Sequence, residues 1–381
     1  MKGPCRIHVI NAIVFLALFV SFFVFYLKDQ TTKFMKGSTT FASRTEEVDM
    51  FKIPVFFICF EPGYKPSIYG NISADLASHF EIQTFITEEQ NLSDFLKSAS
   101  YKLDEDIQIE LIMFDGGKMK DKRILKDGQN TIDNFLVDVY QINTIADGFC
   151  YVVESAEKVS PWVQMSVVVK DLNSENGDKL SNLNLFIASN ETWYGIIAVT
   201  WPYFKLTKYK YSFNEPKMYH WIDLSVTSIS YQKGHKSVEE CIENWMSTND
   251  VCKKCSPFFH SFKNKKPSCQ SNEDNKCWYL WSFFGKNFNN YKRCLKPMET
   301  TLFTGISLPF ERPLVQNNTV NIAFAYSSDE IKIEEETLMI DTSSYIGSVG
   351  GSLGLFLGFS CFTYLSCCIQ KVFELCDKFK Q

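Results

Sequence analysis

Apolar residues are spread along this chain in two ways. Near each end they form one long run that no charge interrupts, and between the ends they form short runs separated by polar turns. The first long run is Val9–Leu27, "VINAIVFLALFVSFFVFYL", and the second is Ile346–Ile369. As helices they would be about 28 Å and 36 Å long at ~1.5 Å per residue, enough to cross a hydrocarbon core of ~30 Å. The pattern therefore predicts transmembrane helices at 9–27 and 346–369 in a lipid bilayer. A cleaved secretory signal is the rival for the first run, since "MKGPCR" is a suitably basic start. The run is longer than the usual apolar region of about 7–15 residues, and no small-x-small cleavage site follows it, so a retained span is expected.

Between the two runs, Ile53–Gly63, "IPVFFICFEPG", is a short apolar stretch stopped by Pro-Gly and predicts a buried strand. Thr87 and Gln90 form a capping pair at the head of a predicted helix. Runs rich in Val, Ile, Tyr and Phe predict strands around Ile107–Phe114, Trp162–Val169, Gly195–Thr200 and Ile222–Tyr231. Ser237 and Glu240 form a capping box, after which Val238, Cys241, Ile242, Trp245 and Met246 recur at helical spacing. A cysteine-dense loop follows, then a last strand at Thr319–Ser328 and an acidic approach to the second span. The expected architecture is a two-span membrane protein whose segment 28–345 is one large extracellular α+β domain, with a β core and peripheral helices.

Charge sets the orientation. The tail 370–381 carries Lys371, Lys378 and Lys380, whereas Asp329, Glu330, Glu334, Glu335, Glu336 and Asp341 precede the second span. The positive-inside bias places the tail in the cytoplasm, and two spans then place residues 1–8 there too. The plasma membrane is the expected location. The 381 residues are 45% hydrophobic and carry a net charge of −5, which excludes a disordered chain and a basic nucleic-acid-binding surface.

Eight of the 13 cysteines lie between the spans: Cys59, Cys150, Cys241, Cys252, Cys255, Cys269, Cys277 and Cys294. An even number in an oxidising compartment predicts disulfides. Glycosylation sequons at Asn71, Asn91, Asn190 and Asn317 fall in the same segment and nowhere else. Cys5, Cys361, Cys367, Cys368 and Cys376 read as free thiols or palmitoylation sites. Cys252-Lys-Lys-Cys255, with Cys269, Cys277 or His260, has the makings of a zinc site or a redox pair, but outside the cell bridging is favoured. The five histidines show no metal spacing, and Gly358-Phe359-Ser360 lacks the final glycine of a nucleophile elbow because Phe362 stands there. No enzyme, cofactor or metal is expected.

The second span carries the informative chemistry. Gly350, Gly354 and Gly358 recur every four residues and line one face, as helices that pack closely require. Ser348, Ser352, Ser360, Thr363 and Ser366 are hydroxyls that need a partner helix or a water-filled path. A pore built from several copies of this helix would use both features, with carbonyls and hydroxyls replacing an ion's hydration shell. Close packing alone is the plainer alternative, and the two are compatible.

The stretch Gly350–Ser360, "GGSLGLFLGFS", closely resembles the second-span signature of the degenerin/epithelial sodium channel superfamily, which includes the acid-sensing channels. Gly358, Phe359 and Ser360 match its G-x-S tripeptide. "PVFFIC" (Pro54–Cys59) and "GFCYVV" (Gly148–Val153) look like two further family stretches, in the right order. The resemblance implies an amiloride-sensitive sodium channel subunit, assembled as a homo- or hetero-trimer with related subunits. It implies a selectivity filter at Gly358, Phe359 and Ser360, with Gly350, Gly351 and Gly354 packing the pore helices and Na⁺ as the permeant ion. It also implies the pairings Cys59–Cys150, Cys241–Cys294, Cys252–Cys277 and Cys255–Cys269. Glu334, Glu335 and Glu336 would concentrate cations at the outer mouth, where charges from neighbouring subunits add; a solvated acidic surface is their plainer reading. The chain departs from the family in carrying Ser348 where many members have an acid, Ser366 where a glutamate is common, and Met298 at the last ladder cysteine. A non-conducting accessory or ligand-binding protein on the same scaffold is the alternative. A two-span ATP-gated channel ranks lower, because it lacks the glycine-serine signature.

Overall fold

The structure is a computed structural model that describes residues 4–69, 97–144, 148–172, 178–188, 207–214, 218–232, 298–311, 318–352 and 354. The elements in chain order begin with α1 (Pro4–Lys36), β1 (Thr39–Glu47), β2 (Phe51–Lys52), β3 (Val55–Glu61) and α2 (Pro66–Tyr69). They continue with β4 (Ile107–Asp115), β5 (Lys118–Ile124), β6 (Gly128–Ile132), β7 (Phe135–Thr144), β8 (Gly148–Glu154) and β9 (Lys158–Val159). The remainder are β10 (Val163–Asp171), β11 (Asn182–Ala188), β12 (Thr207–Ser212), β13 (Met218–Ser230), β14 (Glu299–Glu311), β15 (Thr319–Tyr326) and β16 (Glu330–Leu338). A further helical stretch occupies 342–352. The residues fall into two units, one of 1–42 with 336–381 and one of 43–335.

The second unit is built mostly from strands. One sheet has the order β1-β16-β13-β15-β10-β4-β5, with β14 on the other flank of β13, and a second has the order β12-β11-β3-β8-β7-β6. Strand β3 shows why "FFICF" is apolar at every position: both of its faces are buried. Phe56, Ile58 and Phe60 point into the main core, while Val55, Phe57 and Cys59 join a second cluster with Cys150, Val152 and Phe186. A strand buried on both faces loses the in–out alternation of a half-exposed one. Phe56 meets Phe324 of β15 with ring centres 4.5 Å apart, so the two sheets touch through aromatic side chains.

The motif at Gly148–Val153 divides by face in the same way. Cys150 lies opposite Cys59 in the β3–β8 register and is bonded to it. This is the Cys59–Cys150 pairing expected above. Tyr151 faces the main core instead. Its hydroxyl donates to the Tyr101 carbonyl at 2.9 Å and accepts from the Leu103 N–H at 3.1 Å and from the Gln141 amide at 3.0 Å. A buried hydroxyl needs such partners, and here they hold the segment leading into β4.

Charges inside this unit are compensated. Glu110 of β4 is only 4% exposed and pairs with Lys170 at 2.7 Å and Lys122 at 2.9 Å. Burial alone would raise its pKa, but the two ammonium groups outweigh that and hold the carboxyl below its ordinary value. Lys65 and Asp106 form a second enclosed pair at 2.6 Å.

His220 of β13 has no such partner charge among the described residues: it is buried against the ring of Tyr211, with centroids 4.2 Å apart. Burial lowers its pKa below the ordinary value. Below about pH 6.5 the unfolded chain therefore binds a proton that the folded chain refuses. The contribution of this group is intact above that pH and declines as the pH drops toward its folded-state value. Melting temperatures measured from pH 8 to pH 5 should fall on acidification, and His220→Phe should flatten part of that fall. An unchanged slope in the variant would contradict it.

Among the described residues the expected α+β domain is mainly β, since outside the first unit only α2 and residues 97–99 are helical. The expected strand at 195–200 and the expected helix at 237–246 lie outside the described residues, as does all but the end of the helix expected from Thr87.

Candidate functional site

The candidate site belongs to the first unit, where the two predicted spans meet the strands that follow and precede them. The backbone of α1 covers the whole first expected span, and its side chains are described from Val20 onward. Of the second expected span, 346–352 and 354 are described. Among the described residues no helix is long and apolar enough to cross a membrane.

Helix α1 ends in a way its sequence explains. Gly37 takes a positive φ of 56°, and the N–H groups of Gly37 and Ser38 bond back to the carbonyls of Phe34 and Lys33 at 3.0 and 3.1 Å. A glycine just past the last turn is the usual stop for a helix, and Lys33 and Lys36 suit the negative end of its dipole. The stretch at 342–352 begins with equal clarity. The Asp341 carboxylate accepts the Ser344 N–H at 2.6 Å and the Ser343 hydroxyl at 3.1 Å. Asp341 is thus an N-cap, and the hydrogen bonds from Ser344 hold its carboxyl below the usual carboxylate range. The strands between the helices are tied at the same level: the Met339 N–H donates to the Ser38 carbonyl at 2.9 Å, and the Thr39 hydroxyl to Glu336 at 2.7 Å.

The helices themselves are joined by side chains. The hydroxyls of Tyr26 and Ser348 lie 2.9 Å apart, and those of Thr31 and Tyr345 lie 3.0 Å apart. Phe34 stacks on Tyr345 with centroids 4.4 Å apart and planes within 9°. Ser352 donates back to the Ser348 carbonyl at 2.7 Å. So Ser348, at the position where the resembled family often has an acid, is engaged by the first helix of its own chain.

The glycines lie on the other side. A Cβ placed on Gly347, Gly350, Gly351 or Gly354 would meet no atom within 4 Å. Nothing in the chain itself packs against these positions among the described residues. Gly358, Phe359 and Ser360, the expected filter, lie outside the described residues.

The three acids expected at an outer mouth all have partners. Glu334 pairs with Lys332, Glu335 pairs with Arg44 at 3.0 Å, and Glu336 accepts from Thr39. Cys241, Cys252, Cys255, Cys269, Cys277 and Cys294 lie outside the described residues, as do Asn71, Asn91, Asn190 and Asn317. Among the described residues no group of three or more His, Cys, Asp or Glu side chains could hold a metal. Sequence reasoning passed over Tyr26, Thr31, Phe34 and Tyr345. Each is unremarkable in its own helix, and only the antiparallel pairing of the helices brings them together.

No family model matches the chain, and no curated protein matches it. Among solved structures it is similar to a cryo-EM structure of a proton-activated chloride channel, at a TM-score of 0.40 and 9% identity, covering 94% of this chain and 96% of that one.

Proposed function

We propose that the chain is a subunit of a plasma-membrane cation channel, sodium-selective and amiloride-sensitive in type. In this reading several copies, three by resemblance, surround a pore lined by the second span, with both termini in the cytoplasm. One observation carries it. The described start of that span offers its hydroxyl face to α1 and leaves Gly347, Gly350, Gly351 and Gly354 without a neighbour of their own chain among the described residues. Glycines that face away from the parent subunit permit close approach of other copies and give access to backbone carbonyls. The G-x-S tripeptide follows on the same helix, where the pore would narrow.

The partnered acids favour a second reading, an accessory subunit on the same scaffold that does not conduct alone. Ion pairs such as Glu335–Arg44 weaken any ring of negative charge at an outer mouth. The two readings separate in one experiment. The chain is expressed in cells, alone and with related subunits, and Na⁺ current is recorded before and after amiloride. A Ser360→Cys variant is then exposed to a charged thiol reagent. Current from the chain alone, blocked at position 360, supports the first reading. Current that appears only on co-expression supports the second. No current under either condition removes both.

A further inference from the structure

The contacts between α1 and the 342–352 helix lie on one face of the latter. Tyr345, Ser348 and Ser352 are spaced by three and four residues, so at about 100° per residue they form a single stripe. Gly347, Gly350, Gly351 and Gly354 cluster on the opposite side of the same helix, and all four are exposed. The register is consistent with two antiparallel helices. Moving outward along α1 from Tyr26 to Thr31 and Phe34 corresponds to moving back along the second helix from Ser348 to Tyr345. Two hydroxyl pairs and one ring stack therefore oppose rotation of the second helix about its own axis.

Tyr345 is doubly held. Its hydroxyl is engaged by Thr31 and its ring by Phe34. Ser348 is also doubly held, its hydroxyl by Tyr26 and its carbonyl by Ser352. A hydroxyl in an apolar setting gives up little by keeping such a partner and loses it only if the helix turns or shifts.

We propose that Tyr26 and Tyr345 are positioning residues that clamp the second helix to the first and so set the direction in which its glycine face points. This rests on the channel reading for its consequence, since the clamp then governs the pore lining; the clamp itself does not depend on conduction. Breaking the Tyr26–Ser348 pair lets the helix turn, which changes both the exposure of the glycine face and the fraction of open channels.

The test uses the full-length chain in membranes and has two arms. In the first, Gly351→Cys is labelled from outside with a charged maleimide, and the rate at position 351 is read by mass spectrometry. Adding Tyr26→Phe or Ser348→Ala should change that rate about 3- to 10-fold, the span typical of one interhelical hydroxyl bond. The two together should change it no more than either alone, and Ser348→Thr, which keeps the hydroxyl, should leave it near the starting value. Additive effects, no effect, or failure of the threonine variant would overturn the proposal. In the second arm the same variants are recorded electrically, and the open fraction should shift in the same non-additive pattern. If labelling follows the pattern and wild type carries no current under any condition, the channel reading fails while the clamp stands. If current is present but labelling is indifferent to Tyr26→Phe, the clamp fails and the channel reading stands.

Discussion

Replacing Cys59 and Cys150 together by alanine should lower the unfolding free energy by roughly 4 kcal/mol. The bond joins positions 91 residues apart in sequence, so it removes a long loop's worth of freedom from the unfolded chain. Both residues are fully buried in the small cluster behind β3 and β8, so the substitution also leaves unfilled volume in a packed region. Thermal unfolding of the purified chain, followed with and without reductant, checks this. Reductant should lower the melting temperature of the parent protein and leave the double variant little changed at this bond. Equal stability of parent and variant in oxidising buffer would contradict it.

The second large effect is expected from a single methyl group. Gly305 sits within β14, opposite Leu224 of β13. A Cβ there would lie 2.8 Å from the Asp223 carbonyl oxygen, 2.8 Å from Ile222 Cγ2 and 2.9 Å from the Tyr209 hydroxyl. Backbone cannot give way cheaply, and Ile222 is fully buried, so Gly305→Ala should cost about 2–3 kcal/mol. The neighbouring Ile306→Ala, on a side chain 70% exposed, should cost within about 0.5 kcal/mol. Tyr209→Phe removes the third close atom, so Gly305→Ala should be milder in that background yet still destabilising. Urea unfolding of the parent, the three single variants and the Tyr209→Phe/Gly305→Ala double variant decides the matter. A harmless Gly305→Ala would mean that β13 and β14 separate more readily than their register implies.

The strands around these residues also show what could be read from the sequence. Strands with two buried faces or clean apolar runs were legible: β3, β4, β10, β13 and β15 lie where the patterns at Ile53–Gly63, Ile107–Phe114, Trp162–Val169, Ile222–Tyr231 and Thr319–Ser328 placed them. Strand β14 was not legible, because Gly305 and Pro309 break its pattern. Strands β1, β5 and β16 were missed for another cause. All seven residues of β5, "KMKDKRI", are exposed or nearly so, and the pairing of such strands comes from backbone bonds that leave no apolar signature. In the candidate site, the glycine and hydroxyl positions of the second span were visible as a pattern. The α1 partners of Ser348 and Tyr345 were not, because Tyr26 and Phe34 look like any aromatic residue near the end of an apolar helix. Asp341 was read as one more acid, and its capping role needed the position of the Ser344 amide.

Strand β13 has one further consequence. It pairs in parallel with β15 over Tyr219–Leu224 and, farther along, with β16 over Thr227–Ser230. Two successive strands of the chain are thus spliced end to end along a third. A pull on β16 along its own length loads its bonds to β13 in shear, so that they must fail together rather than unzip one at a time. The splice behaves as a lap joint: stiff under tension along the strands and weak only against peeling from the side.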